Sequence, residues 1–484
     1  MTFNSISFLI FFLLATVIYF VCPPRYRWAW LLAASIYFYA SWALEYVAWL
    51  VVSTLIVYIL AIQIAKISLQ AWRKALLILG LVLVLGSLGV LKCLGFFSDS
   101  LRALADRFDW GYAIPAWRLL LPVGISFYTF QAVGYLIDVY RGKIEPERHL
   151  GILMLFFSFF PQLVAGPIER AGHLIPQFKA QRALSASQLS SGLQLVLWGM
   201  FKKVVVADRL AVYVDAVYNH PADHRGWPIL FATGFFAVQL YADFSGYTDI
   251  ALGVAKVLGY DLTANFRRPY LASSIVEFWR RWHMTLTTWF RDYLYIPLGG
   301  NRVPKWRWYT NVMVVFVVSG LWHGANWTFV LWGGLHGFAY LLEIWTQEAR
   351  AKVFEKLHLE RRALRTVLGT LVTLGLVCLA WVFFRANSIS DAFLLLDNAT
   401  QFGASTDLYG PWTSLGDNPG PKMAFGLGLV AFLAAVELIC EYGWKAPLTL
   451  WQRDWVRWGA FLLLALAIMN LGVVRETPFV YLQF

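Results

Sequence analysis

An all-α protein that crosses a membrane many times is predicted by three features of this sequence. Charged residues make up only 14% of its 484 positions and the set AVILMFWYC 59%, for a mean hydropathy of +0.59. Uncharged stretches recur near ~20 residues, the length at which a helix crosses ~30 Å of hydrocarbon. Lys and Arg gather between those stretches, as orientation by retained cytoplasmic charge requires. The same features exclude other classes. A net charge of +12 would point to nucleic acid for a soluble chain, but orientation in the bilayer accounts for it, and no nucleic acid partner is expected. Aromatics reach 17%, with 24 Trp, which suits rings at the two membrane interfaces. Cys22, Cys93, Cys378 and Cys440 show neither CxxC spacing nor clustered histidine, so neither a metal site nor a disulfide framework is expected.

Taken in order, residues 1–24 carry no charge, no basic lead and no small-residue cleavage signature, which predicts a retained first span rather than a signal peptide. Residues 28–44, 46–65, 75–91 and 119–137 give four more. Arg25 and Arg27 follow the first span, Lys66, Arg73 and Lys74 the third, and Arg141, Lys143 and Arg148 the fifth. An outward amino terminus places all three clusters in the cytoplasm. The alternation then fails, because 150–168 and 183–201 are both followed by basic residues: Arg170, Lys179 and Arg182, then Lys202, Lys203 and Arg209. In the first, FFPQLVAGPIER contains Pro161, Gly166 and Pro167, which break a helix, so a re-entrant or broken element is expected there. Residues 226–242 form a span that runs into DFSGYTDIALG. Its Asp243 and Asp249 stand six apart, off one helical face and without the neighbours of a metal site, and are expected to pair with Arg267, Arg268, Arg280 or Arg281.

Residues 346–366, with six Lys or Arg against three Glu, should be cytoplasmic. Residues 366–384 span outward to an exposed loop, 385–422, that carries Asp391, Asp397, Asp407 and Asp417. Closing spans at 423–440 and 458–474 return the carboxyl terminus to the outside. The expectation is about 11–13 membrane helices, re-entrant elements included, in one domain over residues 1–484 with no repeat and no soluble module.

Chemistry concentrates between Glu277 and His336. The run EFWRRWHMTLTTWFRDYLYIPLGG is too charged to span; Glu277 and Arg281 stand at i and i+4, and Pro297, Gly299 and Gly300 end it. It holds His283 one turn from Thr287. A basic loop with Arg302, Lys305 and Arg307 follows, and then 308–342, 35 residues without Asp, Glu, Lys or Arg that include His323 and His336. An ionisable side chain at membrane depth is costly enough to be a functional-site hypothesis by default. No GxSxG elbow and no phosphate loop is present, and Gly333-Gly334 reads as close helix packing. What remains is histidine-centred acyl transfer, with Arg280, Arg281, Arg302 and Lys305 on the cytoplasmic side for the phosphates of an anionic donor. A packed structural histidine and a transport-path residue are the competing readings of His323. Residues 308–322 reach only about 22 Å as a helix, so His323 should stop inside the membrane, with Gly324, Ala325 and Asn326 leaving room for a tunnel. A neutral imidazole there can take the proton of an acceptor hydroxyl.

FFPQLVAGPIER, YADFSGYTDIALG, NFRRPYLASSIVEFWRRWHMTLTTWFRDYLYIPLGGN and SGLWHGANWTFVLWGGLHG, in this order and spacing, resemble the bacterial branch of the membrane-bound O-acyltransferase family, nearest to its alginate O-acetyltransferase type. The resemblance covers most of the chain. It implies a funnel-shaped helical fold around a central tunnel, with a catalytic core roughly over 119–345. It also implies acetyl-CoA as the cytoplasmic donor, no bound cofactor, and transfer toward an exported polysaccharide through a separate periplasmic acetyltransferase partner, in a bacterial inner membrane with both termini periplasmic. The family's essential histidine falls on His323 in LWHGANW and its second polar position on His283 in RRWHMTL. His336 in GGLHG fits the pattern, and Asn326 is a supporting candidate. The alternatives are D-alanyl transfer, O-acylation of a protein or lipid and, in a different class, a transporter.

Overall fold

The computed structural model describes residues 1–110, 122–356, 362–403, 419–443, 453–473 and 479–480, and every regular element among them is helical. The single domain expected over 1–484 is built as two compact units, Met1–Val196 with Ile250–Thr263, and Leu197–Asp249 with Ala264–Phe484.

The first unit contains α1 (Ile6–Val21), α2 (Arg27–Ala40), α3 (Leu44–Lys66), α4 (Gln70–Arg107), α5 (Ile125–Tyr140), α6 (Leu150–Ser158) and α7 (Ala171–Lys179). The five early helices expected from hydropathy are α1 to α5, with two corrections. Helix α2 has 14 residues, about 21 Å, shorter than its apolar run. Helix α4 has 38 residues, about 57 Å, and continues well beyond residue 91. A bilayer limits where apolar side chains stop, but the backbone ladder does not stop with them. The extension carries Asp99 and Arg102 as an i,i+3 pair at 3.3 Å. Residues 119–121, the start of the fifth run, lie outside the described residues.

Helix α6 stops at Ser158, ahead of Pro161, and Phe159 to Glu169 is non-helical and buried throughout. Irregular backbone away from water has to be satisfied by protein. Gln162 and Leu163 N–H donate to the Phe159 carbonyl at 3.0 and 3.1 Å, and Gly166 N–H to that of Gln162 at 2.9 Å. The Gln162 side chain donates to the Phe156 carbonyl at 2.8 Å, and Phe160 N–H to Ser35 Oγ at 3.1 Å.

Helix α8 (Ala186–Met200) leads through a π-helical segment, Phe201–Ala207, into α9 (Asp208–Tyr218). Then come α10 (Trp227–Val257), α11 (Ile275–Arg281), α12 (Met284–Phe290), α13 (Lys305–His323), α14 (Trp327–Trp345) and α15 (Gln347–Lys356). The chain closes with α16 (Arg362–Arg385), α17 (Ile389–Ala399), α18 (Pro419–Tyr442) and α19 (Asp454–Leu471). Among the described residues, α3, α4, α10, α16 and α18 are long and apolar enough to cross a membrane, and α1 and α19 are apolar but shorter. The loop expected over 385–422 is partly helical: α17 holds Asp391 and Asp397, capped by the Ser388 side chain, while Asp407 and Asp417 lie outside the described residues. Helices α13 and α14 pack along each other. A Cβ on Gly320 would strike the Phe329 carbonyl, and one on Gly333 that of Phe316, a backbone approach that only glycine permits. Gly334 meets nothing, so only Gly333 of the pair serves packing. The core of this unit is aromatic, with Trp282, Trp332 and Trp381 fully buried.

Candidate active site

His323 is the last residue of α13. The helix begins at Lys305, so it runs 19 residues, about 28 Å, which is longer than the 22 Å read from the uncharged run. Gly324, in an extended conformation, ends it. Asn326 caps α14 by accepting from Thr328 N–H at 3.1 Å. The expectation that Gly324 leaves tunnel space is corrected: the Phe329 ring occupies the place where its side chain would be. His323 is 4% exposed. Its ring meets Trp322 at 4.8 Å, Trp332 at 5.0 Å and Phe384 at 5.6 Å between centroids, all edge to face.

His336, on α14 and 1% exposed, shares the Trp332 ring at 5.0 Å. It also meets Trp279 edge-on at 4.9 Å and stacks over Phe278 at 6.2 Å. Its Nε2 has no hydrogen-bond partner among the described residues. The structure therefore places His336 in the same cage as His323.

His283 sits between α11 and α12 in the left-handed region, φ +41°, a costly conformation for a residue with a side chain. It is fully buried, its ring 4.7 Å from Phe244 and 6.2 Å from Trp322. Asn265 holds this turn together. Its backbone carbonyl accepts from Met284 N–H at 2.9 Å, and its Oδ1 accepts from Thr285 N–H at 3.2 Å and Thr285 Oγ1 at 2.9 Å. His283 Nδ1 lies 3.0 Å from the same oxygen. An oxygen that already takes a backbone N–H is an acceptor, so Nδ1 donates, and in the neutral ring Nε2 carries the lone pair.

Beside this cage lies a second buried group, of charges. Lys202 and Lys203 are 3% and 6% exposed within the π-helical segment. Lys203 pairs with Asp208 at 2.8 Å and Asp243 at 2.6 Å. Lys202 pairs with Asp249 at 2.7 Å and donates to Ser245 Oγ at 2.8 Å. Gly246 makes this approach possible, since a Cβ there would run into the Gly199 carbonyl and the backbone of Lys203. Two expectations are thereby corrected. Asp243 and Asp249 do not pair with the arginines of 267–281, and Lys202 and Lys203 are not loop charges that orient the chain. A cavity of about 460 Å³ is lined by Lys203, Asp208, Gln239 and Asp243 at one part, by Asn326, Thr328, Phe329 and Phe384 at another, and by Asp215, Asn219, Arg385 and Asn387. Phe384 is both a wall of this cavity and a neighbour of the His323 ring.

Of the four expected donor-binding residues, Arg280, Arg302 and Lys305 are exposed. Arg281 is held by Glu277 at 2.6 Å, the i,i+4 pair expected, and by Glu441 at 2.9 Å. No group of three metal-ligating side chains occurs among the described residues. Sequence reasoning missed Asn265, for which no local signal exists, and Trp381 and Phe384, which lie beyond the core expected at 119–345.

A sequence profile of the membrane-bound O-acyltransferase family matches residues 149–373. The chain is 37% identical to a probable alginate O-acetylase of Azotobacter vinelandii over 93% of its length and 87% of that protein's. It is 35% identical to the peptidoglycan O-acetyltransferase of Helicobacter pylori, over 81% of this chain and 77% of that one. To the teichoic acid D-alanyltransferase of Bacillus subtilis it is 28% identical, over 56% and 70%.

Proposed function

The chain belongs to the membrane-bound O-acyltransferase family and is a multi-pass membrane O-acetyltransferase; from that premise we propose that it draws acetyl groups from cytoplasmic acetyl-CoA and passes them across a bacterial inner membrane. Their destination is an exported polysaccharide of the alginate type, reached through a periplasmic acetyltransferase partner, and both termini of the chain are periplasmic. His323 is the base. It takes the proton of an acceptor hydroxyl as the oxygen attacks the acetyl carbonyl, the C–S bond breaks, and the proton passes to the departing thiolate, leaving an O-acetyl ester and free coenzyme A. His283, fixed through Asn265, orients the donor or His323 across Trp322, and His336 completes the cage. Arg280, Arg302 and Lys305 take the donor's phosphates, with Arg281 behind them in its ion pairs.

The observation that carries the reading is the position of His323, buried at the end of α13 with a polar cavity behind Phe384. That cavity holds three carboxylates, Asp208, Asp215 and Asp243, against Lys203 and Arg385, with Arg385 paired to Asp215 at 2.5 Å. Its remaining polar lining is mostly amide. Such a surface suits a neutral hydroxyl and opposes a polyanion, which supports a relay through a partner over direct entry of a uronate polymer.

The test is proteoliposomes supplied with labelled acetyl-CoA on one face and partner and polymer on the other. Label recovered as O-acetyl ester is expected. Label that crosses as a free solute without ester, or a preference for a D-alanyl donor, overturns the reading. Cysteine labelling at the carboxyl terminus and within 346–356 tests the orientation, and a cytoplasmic carboxyl terminus overturns it.

A further inference from the structure

A second cavity in the same unit, about 540 Å³, takes no part in this chemistry. Helices α10, α16 and α18 line it, and its walls are apolar along most of their length, including Phe231, Phe235, Val238, Leu374 and Leu433. These are helices long and apolar enough to cross a membrane, so the medium that reaches the groove is lipid. Its size lies in the ~300–1,000 Å³ range of small-ligand sites.

The lining changes abruptly to charge at Arg268 and Glu437. Glu437 Oε1 accepts from the Tyr241 hydroxyl at 2.9 Å, but its Oε2 has no hydrogen-bond donor among the described residues, and the Arg268 Nε is 3.9 Å away. One turn along α18, Glu441 accepts from Arg268 Nη1 at 3.0 Å and pairs with Arg281 Nη1 at 2.9 Å. Arg281 also binds Glu277. Two guanidiniums thus face three carboxylates; Lys202 also acts on Glu437 but is itself paired with Asp249 at 2.7 Å, so one negative charge is left over, and it falls on Glu437, whose contact with Arg268 is the longest of the set. Arg268, whose side chain is 30% exposed, keeps Nη2 without a partner among the described residues.

We propose that this groove binds one zwitterionic aminophospholipid. An acyl chain lies along the apolar wall, the primary ammonium donates to Glu437 Oε2, and the phosphate accepts from Arg268. Charge complementarity selects this occupant. An anionic lipid brings no cation for the unmatched carboxylate, and a choline headgroup has no N–H to donate to it. Arg281 immediately precedes Trp282 and His283, and its carbonyl accepts from Arg267 N–H at 2.9 Å, so the headgroup site shares an ion network with the segment that holds the second histidine.

The test uses the full-length protein in nanodiscs of equal parts phosphatidylethanolamine, phosphatidylcholine and phosphatidylglycerol, followed by transfer to mild detergent and mass-spectrometric counting of retained lipid. Phosphatidylethanolamine is expected at about one per chain and in clear excess over the other two. Glu437→Gln keeps an oxygen for Tyr241 and removes the charge; it should cut that preference about tenfold, the scale of one charge-assisted hydrogen bond. Gly234 lines the groove and a Cβ there meets nothing within 4 Å, so Gly234→Phe should fold and displace the lipid whatever its headgroup. Equal or greater retention of phosphatidylglycerol, unchanged preference in Glu437→Gln, retention unaffected by Gly234→Phe, or a co-purifying peptide in place of lipid overturns the proposal.

Discussion

The second unit handles buried ionisable groups in two different ways. Around Lys202 and Lys203 each cation meets at least one carboxylate within 2.8 Å. Around His283, His323 and His336 the neighbours are rings, with Asn265 bonded to His283 Nδ1. Pairing gives each charge a counter-charge; a cage of rings supplies none. A buried ion pair is expensive to break, whereas a histidine caged by rings is costly to keep and has no counter-charge to lose. Under the proposed mechanism, the difference separates groups that hold the fold from groups that carry the reaction.

Seven substitutions at six positions break or sharpen that contrast. His323→Ala and His323→Gln should each remove acetyl transfer by ~10²–10⁴-fold with protein level intact, read as polymer O-acetyl content in complemented cells with a blot for protein. Near-normal acetylation at full level would remove this histidine as the base. Lys203→Met should do the reverse: it removes the cation that Asp208 and Asp243 share and lowers stability by about 3–5 kcal/mol, seen as thermal unfolding in detergent. Lys202→Met should cost less, because the Asp249 side chain it leaves is 23% exposed; equal losses would sink the assignment of Lys203 as the better-buried partner. Asn265→Ala removes the acceptor shared by His283 and Thr285, and turnover per folded protein should fall by roughly an order of magnitude. His336→Ala should fall short of that, and a loss matching His323→Ala would move His336 to the reacting atoms. Arg280→Glu should be the mildest, weakening acetyl-CoA binding by about fivefold, as expected of an exposed charge.

Hydropathy made α1 to α5 legible, and two prolines made the break after Ser158 legible, because both are local properties. His323 and His336 stood out because 308–342 has no Asp, Glu, Lys or Arg. Partnership was not legible. Lys202 reaches Ser245 across 43 positions and Arg281 reaches Glu441 across 160, and no local pattern states such a pairing. The lysines misled for a physical reason: a basic pair after an apolar run looks the same whether it is solvated in a loop or neutralised inside. The cage was half legible, since Trp322 and Trp332 flank the histidines in sequence, while Trp381 and Phe384 arrive from α16.

The π-helical segment Phe201–Ala207 has a consequence for how this chain can be aligned and edited. Hydrogen bonds from i to i+5 accommodate one residue more than the i to i+4 ladder around them. Deleting a single residue there would restore an uninterrupted α-helix and remove the wide turn that carries Lys202 and Lys203, while Asp208 and Tyr213 keep their present face. Between relatives this seam is thus where a one-residue gap carries structural meaning, and an ungapped alignment that crosses it would match the wrong side of α9 to the wrong neighbours.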